Sequence, residues 1–143
     1  MPSLGALSLI AAGAITVIAA IAHLACIALG APAYRFMGAG ERIARAAAAG
    51  RPEPIFVTLA IAATLIVWSL YAFSGAGVIR RLPFTNIVLA AVSIIFFARA
   101  LGFPLLKPLF PENSTTFWLV SSSFCLLIGV LYAFGTLSSW LMR

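Results

Sequence analysis

Apolar positions in this chain come in long unbroken runs, not in the alternation of a strand or the one-sided stripe of a soluble helix. Four runs cover about 4–30, 55–79, 84–103 and 116–142. A helix needs about 20 apolar residues to cross a bilayer, and each run is long enough. The charges respect the runs: residues 1–34 carry only His23, 54–79 and 113–142 carry no acid or base, and 82–106 carry only Arg99. The pattern predicts an all-α membrane protein. Its single integral membrane domain over 1–143 is a four-transmembrane-helix up-down bundle, with a short amphipathic surface helix between helices 1 and 2.

Glycine and proline mark the breaks. Gly30-Ala31-Pro32 reads as a stop for the first run, and a basic loop follows over 31–54. The centre of that loop, Gly40 to Ala49, is alanine-rich and helix-prone, with Arg42 and Arg45 three apart on one face. Pro52-Glu53-Pro54 precedes the second run, and Arg80-Arg81-Leu82-Pro83 reads as a tight turn. The third run stops at Pro104. A segment with three prolines, Lys107 and Glu112 leads to Ser114 or Thr115 as the cap of the fourth. Such short connections make neighbouring helices antiparallel. The amino terminus lacks a basic region, and its apolar run is too long for a signal peptide, so it reads as a retained span.

Composition agrees: of 143 residues, 64% are hydrophobic and 8% charged, against about 45–50% and 25% in ordinary globular chains. The net charge of +6 is spread over bases that flank apolar runs. Their expected partners are the lipid bilayer and its anionic headgroups, with no nucleic acid. Arg35, Arg42, Arg45, Arg51 and Lys107 lie on one side, and Arg80, Arg81 and Arg143 on the other. That bias places loops 31–54 and 104–115 in the cytoplasm and both termini outside. Abundant alanine, and arginine over lysine, point to a GC-rich bacterial genome and hence an inner membrane.

Small residues recur at helical spacing. Ser8, Ala12, Thr16, Ala19, His23, Cys26 and Gly30 form one stripe, Ser121, Cys125, Gly129 and Ala133 another, and Asn86, Ala90 and Ser93 a third. Close packing of membrane helices explains all three. Cys26 and Cys125 form no CxxC pair and read as packing residues. Tyr34–Gly40 and Tyr71–Gly77 echo each other, but at opposite ends of the second span, where they build no common site.

An ionisable residue within a span costs about 2.5–3.5 kcal/mol at the bilayer centre, which makes it a functional candidate. His23 and Arg99 qualify. Both precede the end of their span by a few residues in helices running the same way, and so share a depth near the cytoplasmic end. His23 lies on the small-residue stripe. Arg99 lies off the Ser93 face, with a stem long enough to snorkel, and Glu41 or Glu53 would be its counter-charge. Arg42, Arg45 and Glu41 in the loop complete a candidate ligand-binding set. Tyr71 and Tyr132 are candidates for lining a cleft at the outer end. Trp118 and Trp140 read as interfacial belt residues. Asn113-Ser114-Thr115 is a glycosylation sequon, inert on the cytoplasmic side.

The absences exclude much. All three acids, Glu41, Glu53 and Glu112, lie in loops, so no intramembrane carboxylate is available for proton-coupled export. One histidine excludes a bis-histidine haem. No metal cluster, phosphate loop or catalytic set is visible, so no cofactor and no catalytic residue is assigned.

Glu41-Arg42, Arg45-Ala46 and Pro52-Glu53-Pro54-Ile55-Phe56 resemble the first cytoplasmic loop of the four-span MAPEG glutathione-linked enzymes, which places Arg and Glu before an apolar second span. The resemblance covers residues 41–56. That family's asparagine between Arg-Ala and Glu is replaced by Ala/Gly, and its arginine-tyrosine pattern is missing from spans three and four. Membership is not assigned.

Three functions follow. The first is a non-catalytic accessory or structural subunit of a larger membrane complex, or a homo-oligomer, with a small, dry outer helix face. The second is a binder or carrier of an anionic lipid or amphiphile. The third is a membrane enzyme on a lipophilic substrate, its basic loop holding an anionic cosubstrate. No visible chemistry favours the enzyme.

Overall fold

A computed structural model describes residues 3–141, in which helices are joined by short turns and bends and no strand occurs. Met142, the end of the expected fourth run, and Arg143, one of the outer-side bases, lie outside the described residues. Helix α1 covers Leu4–Leu29, its first turn closed by Ser3, whose hydroxyl accepts the Ala6 amide at 3.0 Å. It ends at Gly30, which takes φ +80°.

The stop is as expected, but residues 31–54 are more ordered than a loop. Pro32 lies in the first turn of a new helix, α2 (Ala31–Phe36). Proline lacks the N–H that a helix start leaves unused, so the same residue that ends one helix opens the next. A helix does form in the alanine-rich stretch, α3 (Glu41–Ala48), and it packs on α2 and α4. Helix α4 covers Glu53–Gly75, again with a proline in its first turn. It ends four residues before the expected Ile79, because Ser74 turns the chain: its hydroxyl accepts the Leu82 amide at 2.8 Å and donates to the Arg80 carbonyl at 3.2 Å.

Helix α5 is Thr85–Leu101, preceded by Phe84 at φ +59°. Beyond Gly102 come α6 (Phe103–Leu106) and a 3-10 turn (Lys107–Leu109), bent by 62° from α5. Pro104 starts α6 as Pro32 starts α2. Helix α7 covers Thr115–Leu141, and the Ser114 hydroxyl accepts the Phe117 amide at 3.0 Å. Helices α1, α4 and α7 are each long and apolar enough to cross a membrane, and α5 reaches that standard only together with the bent Phe103–Leu109 segment.

α1 packs on α4 and α7, and α5 packs on α7 and α4. Their shared core holds Leu9, Ala12, Ala20, Leu65, Ala72, Leu89, Val92, Phe96, Ile128 and Tyr132. Two glycines bring α1 and α7 together: a Cβ on Gly135 would lie 2.4 Å from Leu9 Cγ and 2.9 Å from the Gly5 carbonyl. Two side-chain bonds then join these helices. The Ser8 hydroxyl donates to the Leu131 carbonyl at 2.7 Å, and the Thr16 and Tyr132 hydroxyls lie 2.9 Å apart. The first stripe is therefore spent inside the molecule, with Ser8, Ala12, Thr16 and Cys26 buried. Large aliphatics such as Ile18, Ile21, Leu59, Ile94 and Leu127 face outward. Small residues along the α1–α7 contact, with large aliphatics on the outer surface, suit packing where lipid replaces water, because close backbone approach helps drive association there.

Candidate functional site

The end of the molecule that carries α2, α3, α6 and the start of α7 is one locked cap. Tyr34 is buried with Cys26, Ala31 and Ala44, and its hydroxyl lies 3.0 Å from that of Thr58 on α4. Residues 31–54 are also fastened to the 107–118 segment. The Glu112 carboxylate accepts the Glu41 amide at 2.7 Å, and the Asn113 side chain donates to the Gly38 carbonyl at 3.2 Å. Gly38 takes φ +78° and lies under the Phe117 ring, where any Cβ would meet Phe117 Cζ at 2.1 Å.

The carboxylates expected to answer Arg99 are used inside this cap. Glu41 pairs with Arg35 at 2.9 Å and Arg45 at 3.4 Å, and Glu53 with Arg42 at 2.7 Å. Short separation along the chain decides it: an acid six residues from an arginine reaches it before one on a distant helix can. The hydrogen bond from Arg35 holds the Glu41 carboxyl below the ordinary carboxylate range, and Arg35 is raised in turn. A depressed carboxyl contributes stability above its unfolded pKa and loses it as pH falls through the folded one. Protection of the 35–45 backbone from hydrogen exchange is therefore expected to be flat from neutral pH down to the ordinary carboxylate range and to fall only below it. A fall centred near pH 6 would contradict this pairing.

Arg99 turns away from the core toward α7. Its guanidinium donates to the Ser121 hydroxyl at 2.7 Å and to Ser122 at 3.4 Å, and lies 5.0 Å from the centre of the Trp118 ring. Trp118, expected in a lipid-facing belt, is only 3% exposed. Arg99 covers it on one side, and the rings of Phe110 and Phe117 lie 6.3 and 5.5 Å away. Position along a span says how deep a tryptophan sits, not which way it points. Its indole Nε1–H is buried without an acceptor. No carboxylate bonds Arg99 among the described residues. A cation held by hydroxyls and an aromatic face keeps most of its donors free, which suits an incoming anion.

The other candidates separate. His23 Nδ1 lies 2.7 Å from the Ala19 carbonyl of its own helix, and no bond links it to Arg99. Tyr71 donates to the Pro83 carbonyl at 3.1 Å, whereas Tyr132 is fully buried and stacked on Phe96, so the two line no common cleft. At the far end a cavity of about 420 Å³ does open among Ser3, Gly5, Ser74, Arg81 and Ser138. Near the cap, Lys107 Nζ donates to Thr115 Oγ1 at 2.8 Å.

Sequence reasoning put Trp118 in an interfacial belt and missed its contact with Arg99, the Ser122 and Lys107–Thr115 bonds, and the position of Gly38 against Phe117. One signal was present: Thr115 and Ser122 are seven residues apart, two helical turns, and so share a face of α7. Among the described residues no group of three or more His, Cys, Asp or Glu is placed to hold a metal ion. Compared with models of protein families, with curated proteins and with solved structures, the chain matches none.

Proposed function

We propose that this chain is a non-catalytic four-span protein of a bacterial inner membrane, which binds an anionic amphiphile at its cap end. The observation that carries the reading is the charge inventory of that end. All three carboxylates are engaged, Glu41 and Glu53 by arginines and Glu112 by a backbone amide, while Arg51, Lys107 and Arg99 have no carboxylate partner among the described residues. Surplus cations beside apolar helices attract anionic headgroups, by about 1 kcal/mol for each one near the surface.

The fourth span in this reading is α5. Its 17 residues make about 25 Å of helix, short of a hydrocarbon core of about 30 Å. A short span thins the bilayer around it and draws headgroups toward its ends, here toward Arg99. The cap faces the cytoplasm, following the excess of Lys and Arg. Inward-facing small residues weigh against an accessory subunit that docks through a small outer face. Arg42 and Arg45, already paired with Glu53 and Glu41, weigh against a cosubstrate site in the loop.

Thermal unfolding in a zwitterionic detergent tests this. Added phosphatidylglycerol is expected to raise the midpoint by several degrees, since a ligand at about 100 times its Kd stabilises by roughly 2.7 kcal/mol. The rise should shrink as salt increases. Equal shifts with phosphatidylcholine would overturn the proposal.

A further inference from the structure

Resting on that reading, we propose that Arg99 takes the phosphate of a membrane lipid beside α7, with Lys107 as a flanking second cation further along the helix. Lys107 reaches Thr115 at 2.8 Å, and Arg99 reaches Ser121 at 2.7 Å and Ser122 at 3.4 Å. Thr115 and Ser122 stand two turns apart on one helical face, so the two anchoring points are separated by about 10 Å along the axis. Lys107 lies on the surface turn after the 62° bend, and Arg99 two residues before the end of α5. The pair thus runs from the headgroup level down into the apolar part of the molecule.

Neither cation bonds a carboxylate among the described residues. Arg99 has five N–H donors, of which serine hydroxyls take two. The planar fork that remains matches the oxygens of a phosphate, and Lys107 adds a point charge outside it. Trp118, buried beneath the guanidinium at 5.0 Å, keeps the fork from collapsing onto the core. A cation left in this position without an anion is costly in a bilayer, and a lipid phosphate at the same depth removes that cost.

The test is native mass spectrometry from mixed micelles holding equimolar phosphatidylglycerol and phosphatidylcholine. The unsubstituted chain is expected to retain phosphatidylglycerol preferentially. Arg99→Gln should lower that retention about tenfold, the loss of charge-assisted hydrogen bonds. Lys107→Gln, on a surface turn where folding is not at stake, should lower it severalfold. Retention unchanged in Lys107→Gln, or in an Arg99→Gln variant with native helicity, overturns the site while leaving the broader reading intact. No preference in the unsubstituted chain would instead sink the broader reading. Inorganic phosphate without lipid is expected to leave the thermal midpoint unmoved, and a rise that Arg99→Gln abolishes would overturn the assignment to a lipid.

Discussion

Tyr132→Ala is expected to be the most damaging single substitution in the molecule, lowering stability by about 3–5 kcal/mol, as truncation of buried aromatic rings does. Tyr132 is fully buried, its ring stacks on Phe96 with centroids 5.7 Å apart, and its hydroxyl meets Thr16 across the α1–α7 contact. Removing the ring leaves a cavity where α1, α5 and α7 meet. Tyr132→Phe separates ring from hydroxyl and should lower stability by only about 0.6 kcal/mol, the average for hydrogen bonds between membrane helices. Thr16 keeps a partner in that variant, because its hydroxyl also donates to the Ala12 carbonyl at 2.7 Å. Denaturation of the two variants in mixed micelles checks this. Equal losses would mean that the hydroxyl, not the ring, holds the three helices together.

Gly38→Ala is expected to release the cap while leaving the long helices in place. Two effects add. A left-handed backbone costs a non-glycine residue roughly 1–2 kcal/mol, and the new Cβ would strike the Phe117 ring. The ring must leave, and with it go the Asn113–Gly38 and Glu112–Glu41 bonds that hold residues 31–54 to 107–118. Limited trypsin digestion after Arg42 and Arg45 reports the release, since cleavage follows the open population. Gly50→Ala is the control: Gly50 also has positive φ, +74°, but nothing lies within 4 Å of its added Cβ. It should raise cleavage by roughly 30-fold at most, the backbone cost alone. Gly38→Ala should exceed it clearly, and matching rates would show that Phe117 does not clamp the loop.

The helices were legible because their signal is long. The expected runs over 4–30, 84–103 and 116–142 appear as Leu4–Leu29, Thr85–Leu101 and Thr115–Leu141, and α3 falls inside the alanine-rich stretch around Arg42 and Arg45. What the sequence hid depends on direction and on contacts between distant segments. Pro32 and Pro104 read as stops, yet each begins a helix, because a proline's effect depends on which side of it the helix lies. The Arg99 site was half visible. Its place near the end of its helix could be read from the sequence, but the partners Trp118, Ser121 and Ser122 come from another helix, and only the rotation of α7 against α5 shows them. Likewise Gly38 carries no mark of the Phe117 ring above it.

The most direct test of the account is native mass spectrometry of the tagged chain, gently extracted from its own membranes with lipids retained. The expected result is the chain alone or in copies, each holding a phosphate-bearing anionic lipid at fixed stoichiometry. A stoichiometric larger protein partner with no such lipid would contradict it.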